Sequence, residues 1–134
     1  MSPLTGGCLC GAVRYQTTAT PIDAGYCHCR LCQKANGAPV VTWLTVPFEE
    51  FTFIKGNPTA YRSSPVGIRH FCQTCGTHLT FQKAQEPITI DIIVCSMDDS
   101  EAIQPQYHVW TASQITWFEV ADNLPRYQDE GPDI

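Results

Sequence analysis

A mainly β fold is what this sequence predicts, and three features carry the expectation. Short runs of β-branched and aromatic residues recur along the chain, ten prolines and nine glycines punctuate them, and only one stretch has helix chemistry. At 134 residues the chain has the size of one domain and can bury a core without disulfide staples. A single domain over 1–134 is expected, with 128–134 as a polar, frayed tail.

The elements follow in order. Residues 13–17 alternate apolar and polar, as a half-buried strand does, and 40–46 are β-branched and aromatic. Strands over 51–54, 68–71 and 79–81 continue the pattern. The run 88–95, Ile-Thr-Ile-Asp-Ile-Ile-Val-Cys, is the strongest, and it places Cys95 in the core. Segments 107–110 and 116–120 read as two further strands. The single helix begins at Cys29 or Arg30 and ends near Asn36 and Gly37, residue types that close helices, with Cys32 on its first turn. Asp98 and Asp99 suit a turn rather than an acid/base pair.

Seven of the eight cysteines fall into three groups: Cys8 and Cys10, then Cys27, Cys29 and Cys32, then Cys72 and Cys75. A tetrahedral zinc site takes four thiolate or imidazole ligands at about 2.0–2.3 Å, which close pairs on two loops supply with little strain. C-x-C-G and C-x-x-C-G, with glycines free to adopt positive φ after the second ligand, point to one closed structural zinc site on Cys8, Cys10, Cys72 and Cys75. The middle group leaves a second zinc one protein ligand short, the pattern of catalytic sites. His28 lies between two of these ligands, but strand alternation turns it to the opposite face. The competing readings are disulfides, ordinary buried thiols and a thiol redox pair at Cys29 and Cys32. A reducing compartment disfavours the first, and the third lacks a βαβ context.

The formal net charge is −5 and the eight basic residues are scattered, so nucleic acid is not an expected partner. The first residues contain neither a basic segment nor an apolar run, and no stretch approaches about 18 apolar residues. A cytoplasmic protein with no membrane partner is expected; its oligomeric state is open.

Five stretches also resemble a known family. They are G-G-C-L-C-G-A-V-R-Y, Y-C-H-C-R-L-C-Q-K-A-N-G-A, F-C-Q-T-C-G-T-H-L, H-V-W-T-A-S-Q-I-T-W and L-P-R-Y, and in this order they resemble the glutathione-dependent formaldehyde-activating enzyme (GFA) family over nearly the whole chain. The resemblance implies an Mss4-like fold of small twisted antiparallel sheets with zinc knuckles. It also implies two zinc ions: a structural one on Cys8, Cys10, Cys72 and Cys75, and a catalytic one on Cys27, Cys29 and Cys32. The implied activity is a carbon–sulfur lyase reaction, the joining or splitting of formaldehyde and glutathione through S-(hydroxymethyl)glutathione.

The donor set suits such chemistry. Three thiolates make zinc a weak electrophile, poor at acidifying water, whereas a soft open position can hold an incoming thiol as its nucleophilic thiolate. The partners expected are therefore a glutathione-like thiol and a small carbonyl compound. His28, His70, His78 and His108 are the candidates for moving a proton near neutral pH. Arg30, Lys34, Arg62 and Arg69 are candidates for holding the thiol's carboxylates. Trp43, Trp110 and Trp117 are either pocket walls or core packing. The alternative function is a non-enzymatic zinc-binding module with a binding or chaperone-like role.

Overall fold

The structure is a computed structural model that describes residues 3–18 and 20–131. Among these residues the chain forms β1 (Leu4–Gly7), β2 (Arg14–Thr17), β3 (Asp23–Cys27), α1 (Arg30–Asn36), β4 (Val41–Pro47) and β5 (Phe51–Lys55). It continues with β6 (Thr59–Arg62), β7 (Gly67–Phe71), β8 (His78–Lys83), β9 (Thr89–Ile93) and β10 (His108–Val109). Among the described residues no helix is long and apolar enough to cross a membrane.

The strands make two sheets. One has three antiparallel strands in the order β1-β2-β5; the other has seven in the order β10-β3-β4-β9-β8-β7-β6, antiparallel except for β10 beside β3. Period-two alternation then decides what each face of the larger sheet does. Leu44 and Val46 of β4, Leu79 of β8 and Ile90 and Ile92 of β9 join Tyr15 of β2 in the principal core. Each such side chain contributes roughly 1.5–3 kcal/mol by burial. Trp43 and Thr45 on β4, and Asp91 on β9, point the other way and line a cavity.

The helix has the ends its sequence suggests. Cys29 caps it, accepting from the Cys32 amide, and Gly37 closes it at φ 59°. Three strands lack an obvious sequence signal. β1 ends in two glycines because a Cβ at Gly6 would lie 2.3 Å from the Tyr15 hydroxyl. β3, Asp-Ala-Gly-Tyr-Cys, is held between β4 and β10, and β6 is an edge strand paired with β7 alone.

Two expectations need correction. Residues 116–120 are not a strand but a loop in which Trp117 is 72% exposed: apolar β-type residues gained no sheet surface to pack on. Cys95 is not a core residue, because β9 ends at Ile93 and the 3-10 turn Val94–Ser96 buries Val94 while rotating Cys95 outward. Near the C-terminus the Trp110 amide donates to the Asp129 carbonyl at 2.8 Å, and the Gly131 amide donates to Asp129 Oδ1 at 3.2 Å. Residues 132–134 lie outside the described residues.

Candidate metal centres and the adjoining cavity

All eight cysteines are free thiols, and seven of them gather in two places. Cys8 and Cys10 stand on the β1–β2 turn, Cys72 and Cys75 on the β7–β8 turn, and their four sulfurs lie within 4.8 Å of one another. The Cys8–Cys10 and Cys10–Cys72 separations are 3.6 and 3.8 Å. Four sulfurs at about 2.3 Å from one tetrahedral ion would be about 3.8 Å apart, so this donor set fits a thiophilic metal.

The chain around these sulfurs is shaped for negative charge. Gly11 and Gly76 take φ of 81° and 79°, and their amides close the two turns onto the Cys8 and Cys72 carbonyls at 3.1 and 2.7 Å. The amides of Val13 and Cys75 point at the sulfurs of Cys8 and Cys72, at 3.2 and 3.5 Å. Thr77 Oγ1 accepts from the Leu9 amide at 3.0 Å and so stitches one turn to the other.

Cys27 ends β3, Cys29 caps α1 and Cys32 lies in the helix's first turn; these three sulfurs are likewise within 4.8 Å of one another. Hydrogen bonds from the Cys27 and Cys32 thiols, then the Cys32 amide at 3.3 Å, hold Cys29 far below the ordinary thiol range. Cys27 is pushed up, chiefly because its thiol bonds to Cys29. The group could hold a metal ion and supplies three protein ligands.

His28 lies outside it. Its ring stacks on His108, with centroids 5.1 Å apart, and its Nε2 is 2.8 Å from His108 Nδ1. With His108 Nε2–H donating to Asp122 Oδ2 at 2.9 Å, Nδ1 is left to accept from His28. Both imidazoles are 1% exposed. The buried Gln33 locks α1 to this region, its amide nitrogen donating to the carbonyls of His28 and Ser113 at 2.8 and 3.2 Å.

A cavity of about 580 Å³ opens beside the three-cysteine group, which forms part of its wall. Across its floor Thr45, Asp91, Phe81 and Arg69 stand directly opposite one another on β4, β9, β8 and β7. Trp43 and Trp110 also line it, whereas Trp117 does not. Thr45 Oγ1 donates to Asp91 Oδ1 at 2.7 Å, and burial raises the Asp91 carboxyl to about 6. Arg69 is 8% exposed and lies with its guanidinium 5.0 Å from the centre of the Phe81 ring.

The candidate bases and cations sort unevenly. None of the four histidines is in the lining of this cavity; burial pushes His28 and His70 below the ordinary imidazole range, and His78 to about 4. Among the cations, Arg69 and Arg30 line it, Arg69 also lines a neighbouring pocket together with Lys34 and His78, and Arg62 is exposed and donates to the Pro65 carbonyl. Asp91 was missed as a site residue. Its one sequence signal is a carboxylate inside an otherwise apolar strand, which is where charged residues rarely stand without a reason.

Comparison with known proteins adds to this geometry. A curated Halomonas elongata protein described as a "Putative glutathione-dependent formaldehyde-activating enzyme" is 27% identical over 127 residues, covering 87% of this chain and 80% of that protein. A crystal structure of a Rhodobacter sphaeroides protein matches with a TM-score of 0.59 at 24% identity, over 70% of this chain and 87% of the other, a likeness of fold. The family model for the glutathione-dependent formaldehyde-activating enzyme matches residues 3–113, which include both cysteine groups and most of the cavity lining, and the chain belongs to that family.

Proposed function

We propose that the protein is a zinc-dependent carbon–sulfur lyase-type enzyme that forms or cleaves the S-hydroxymethyl (hemithioacetal) adduct of glutathione or a similar thiol with formaldehyde or a small carbonyl compound. One observation carries the reading. The three-cysteine group is part of the wall of a cavity of about 580 Å³, whereas none of Cys8, Cys10, Cys72 and Cys75 is in its lining. On this reading the four-cysteine group holds a structural zinc and the whole chain works as one domain, in a reducing cytoplasm that keeps its thiols free.

Zn²⁺ bound at the second group would supply a soft Lewis acid with an open position, keeping an incoming thiol as thiolate at neutral pH. The chain's own residues do the rest. Cys27, Cys29 and Cys32 would hold the metal at the cavity wall, and Trp43, Phe81 and Trp110 shield the reacting atoms from water. The proton released as the thiol ionises passes to the Asp91 carboxylate, and as the substrate sulfur bonds to the carbonyl carbon the resulting Asp91 carboxyl gives that proton to the carbonyl oxygen. Cleavage runs the same steps backwards. A carboxyl raised to about 6 is suited to both directions near neutral pH.

The test is Cys29→Ser, followed by metal analysis and by NMR of thiol–formaldehyde adduct exchange. The expected outcome is a fall from two zinc ions per chain to about one, with adduct turnover lost. Retention of both metals and full turnover would sink the assignment. Two inert zincs in the wild-type protein and no catalysed exchange would favour a non-enzymatic zinc module instead.

A further inference from the structure

Arg69 is a buried cation without a carboxylate counter-ion among the described residues. The ion pairs of the described residues are Arg14–Asp98, His108–Asp122 and Arg126–Asp122, and none involves it. Its Nε donates to Ser63 Oγ at 3.2 Å and its plane rests against Phe81. Its Nη1 is the one buried side-chain nitrogen or oxygen among the described residues that has no hydrogen-bond partner. An unpaired buried guanidinium is costly and is retained where something completes it.

Two anions could do so. The thiolates of the three-cysteine group sense the Arg69 charge, which adds a small share to the lowering of Cys29 behind the thiol hydrogen bonds. That field neutralises charge at a distance, yet it gives Nη1–H no acceptor. A ligand carboxylate in the cavity supplies both charge and acceptor, and the guanidinium fork is the donor best matched to it. The Phe81 ring beneath and the Ser63 hydroxyl beside it fix the fork's direction, so the anchor is pre-organised.

We propose that Arg69 sets the specificity of the cavity, its Nη1–H binding the carboxylate of a thiol ligand whose sulfur goes to the three-cysteine group. The proposal rests on the thiol-binding reading of that group. It names the substrate class as carboxylate-bearing thiols and gives neutral thiols no such anchor.

Calorimetry on the zinc-loaded protein with 3-mercaptopropionate and 3-mercaptopropionamide as probes tests it, in wild type, Arg69→Gln and Arg69→Lys. Comparing the acid-to-amide affinity ratio between proteins cancels the difference in thiol acidity between the two probes. The expected result is a ratio that falls about tenfold or more in Arg69→Gln and is partly kept in Arg69→Lys. If Arg69→Gln weakens acid and amide equally, Arg69 serves only the charge of the cysteine group and the anchor is overturned. If wild type binds both thiols and its ratio matches that of Arg69→Gln, the anchor fails while thiol binding stands; if it binds neither, both fail. A crystal structure of wild type with 3-mercaptopropionate needs no variant. The carboxylate within about 3.2 Å of Nη1 supports the anchor, and a carboxylate elsewhere overturns it.

Discussion

Asp91 shows how one residue can serve a site and weaken a fold. Its neighbours Ile90 and Ile92 enter the core while its own side chain faces the cavity, and burial raises its carboxyl from 3.8 to about 6. The folded protein therefore holds the proton more tightly than the unfolded chain does. Stability from this group is complete below about pH 4 and is lost as pH rises through about 6. Asp91→Asn keeps an acceptor for Thr45 and removes the ionisation. In urea denaturation its advantage over the wild type should be larger at pH 8 than at pH 5 by on the order of 1 kcal/mol, because about half of the wild type's loss already lies below pH 5. Adduct turnover should fall by about 10²–10⁴-fold while thiol binding persists. A stability difference that is the same at both pH values would remove Asp91 as a buried titrating group.

At the level of elements, turns were more legible than strands, because a turn's demand is local. Gly37 closes α1 at φ 59° with nothing within 4 Å of a built Cβ, so Gly37→Ala meets backbone strain alone, about 1 kcal/mol. Gly56, between β5 and β6, is different. Its φ is 73° and a Cβ would lie 2.1 Å from the Ala12 carbonyl oxygen, main chain that cannot swing aside. Gly56→Ala should cost more than about 2 kcal/mol, and thermal melts should rank it well below Gly37→Ala. The reverse ranking would mean that the approach of this turn to Ala12 is not maintained in solution. Strand β3 illustrates what could not be read. Only Tyr26 in Asp-Ala-Gly-Tyr-Cys has strong β propensity, and it is a strand because Ala24 fits the core and Gly25 leaves room for the Tyr107 ring, whose carbon would lie 2.5 Å from an added Cβ. Residues 116–120 fail for the mirror-image reason, since Thr116, Trp117, Phe118 and Val120 have suitable chemistry and no sheet edge to join.

Across the whole molecule the two cysteine groups differ in what they connect. Their membership was legible because ligand spacing is a local property of the chain, whereas the cavity floor was not, since Thr45, Asp91, Phe81 and Arg69 meet only through the register of four strands. The four-cysteine group joins a turn of the three-stranded sheet to a turn of the seven-stranded one, across 62 positions of sequence from Cys10 to Cys72. The three-cysteine group spans only β3 and the start of α1. A structural zinc bound by four thiolates contributes an apparent 10–16 kcal/mol or so, comparable to the entire stability of a typical domain at about 5–15 kcal/mol. Removing one ligand from the first group should therefore unfold the protein or lower its melting temperature by tens of degrees, as Cys72→Ser would show in circular dichroism melts. Cys29→Ser should stay within a few degrees of wild type, because the elements it links are already held by sheet pairing and by Gln33. A chelator titration reads the same asymmetry without mutation: the first zinc leaves with the far-ultraviolet spectrum unchanged, and the second leaves together with the fold. Loss of structure with the first equivalent, or a stable Cys72→Ser, would reverse the roles assigned to the two groups.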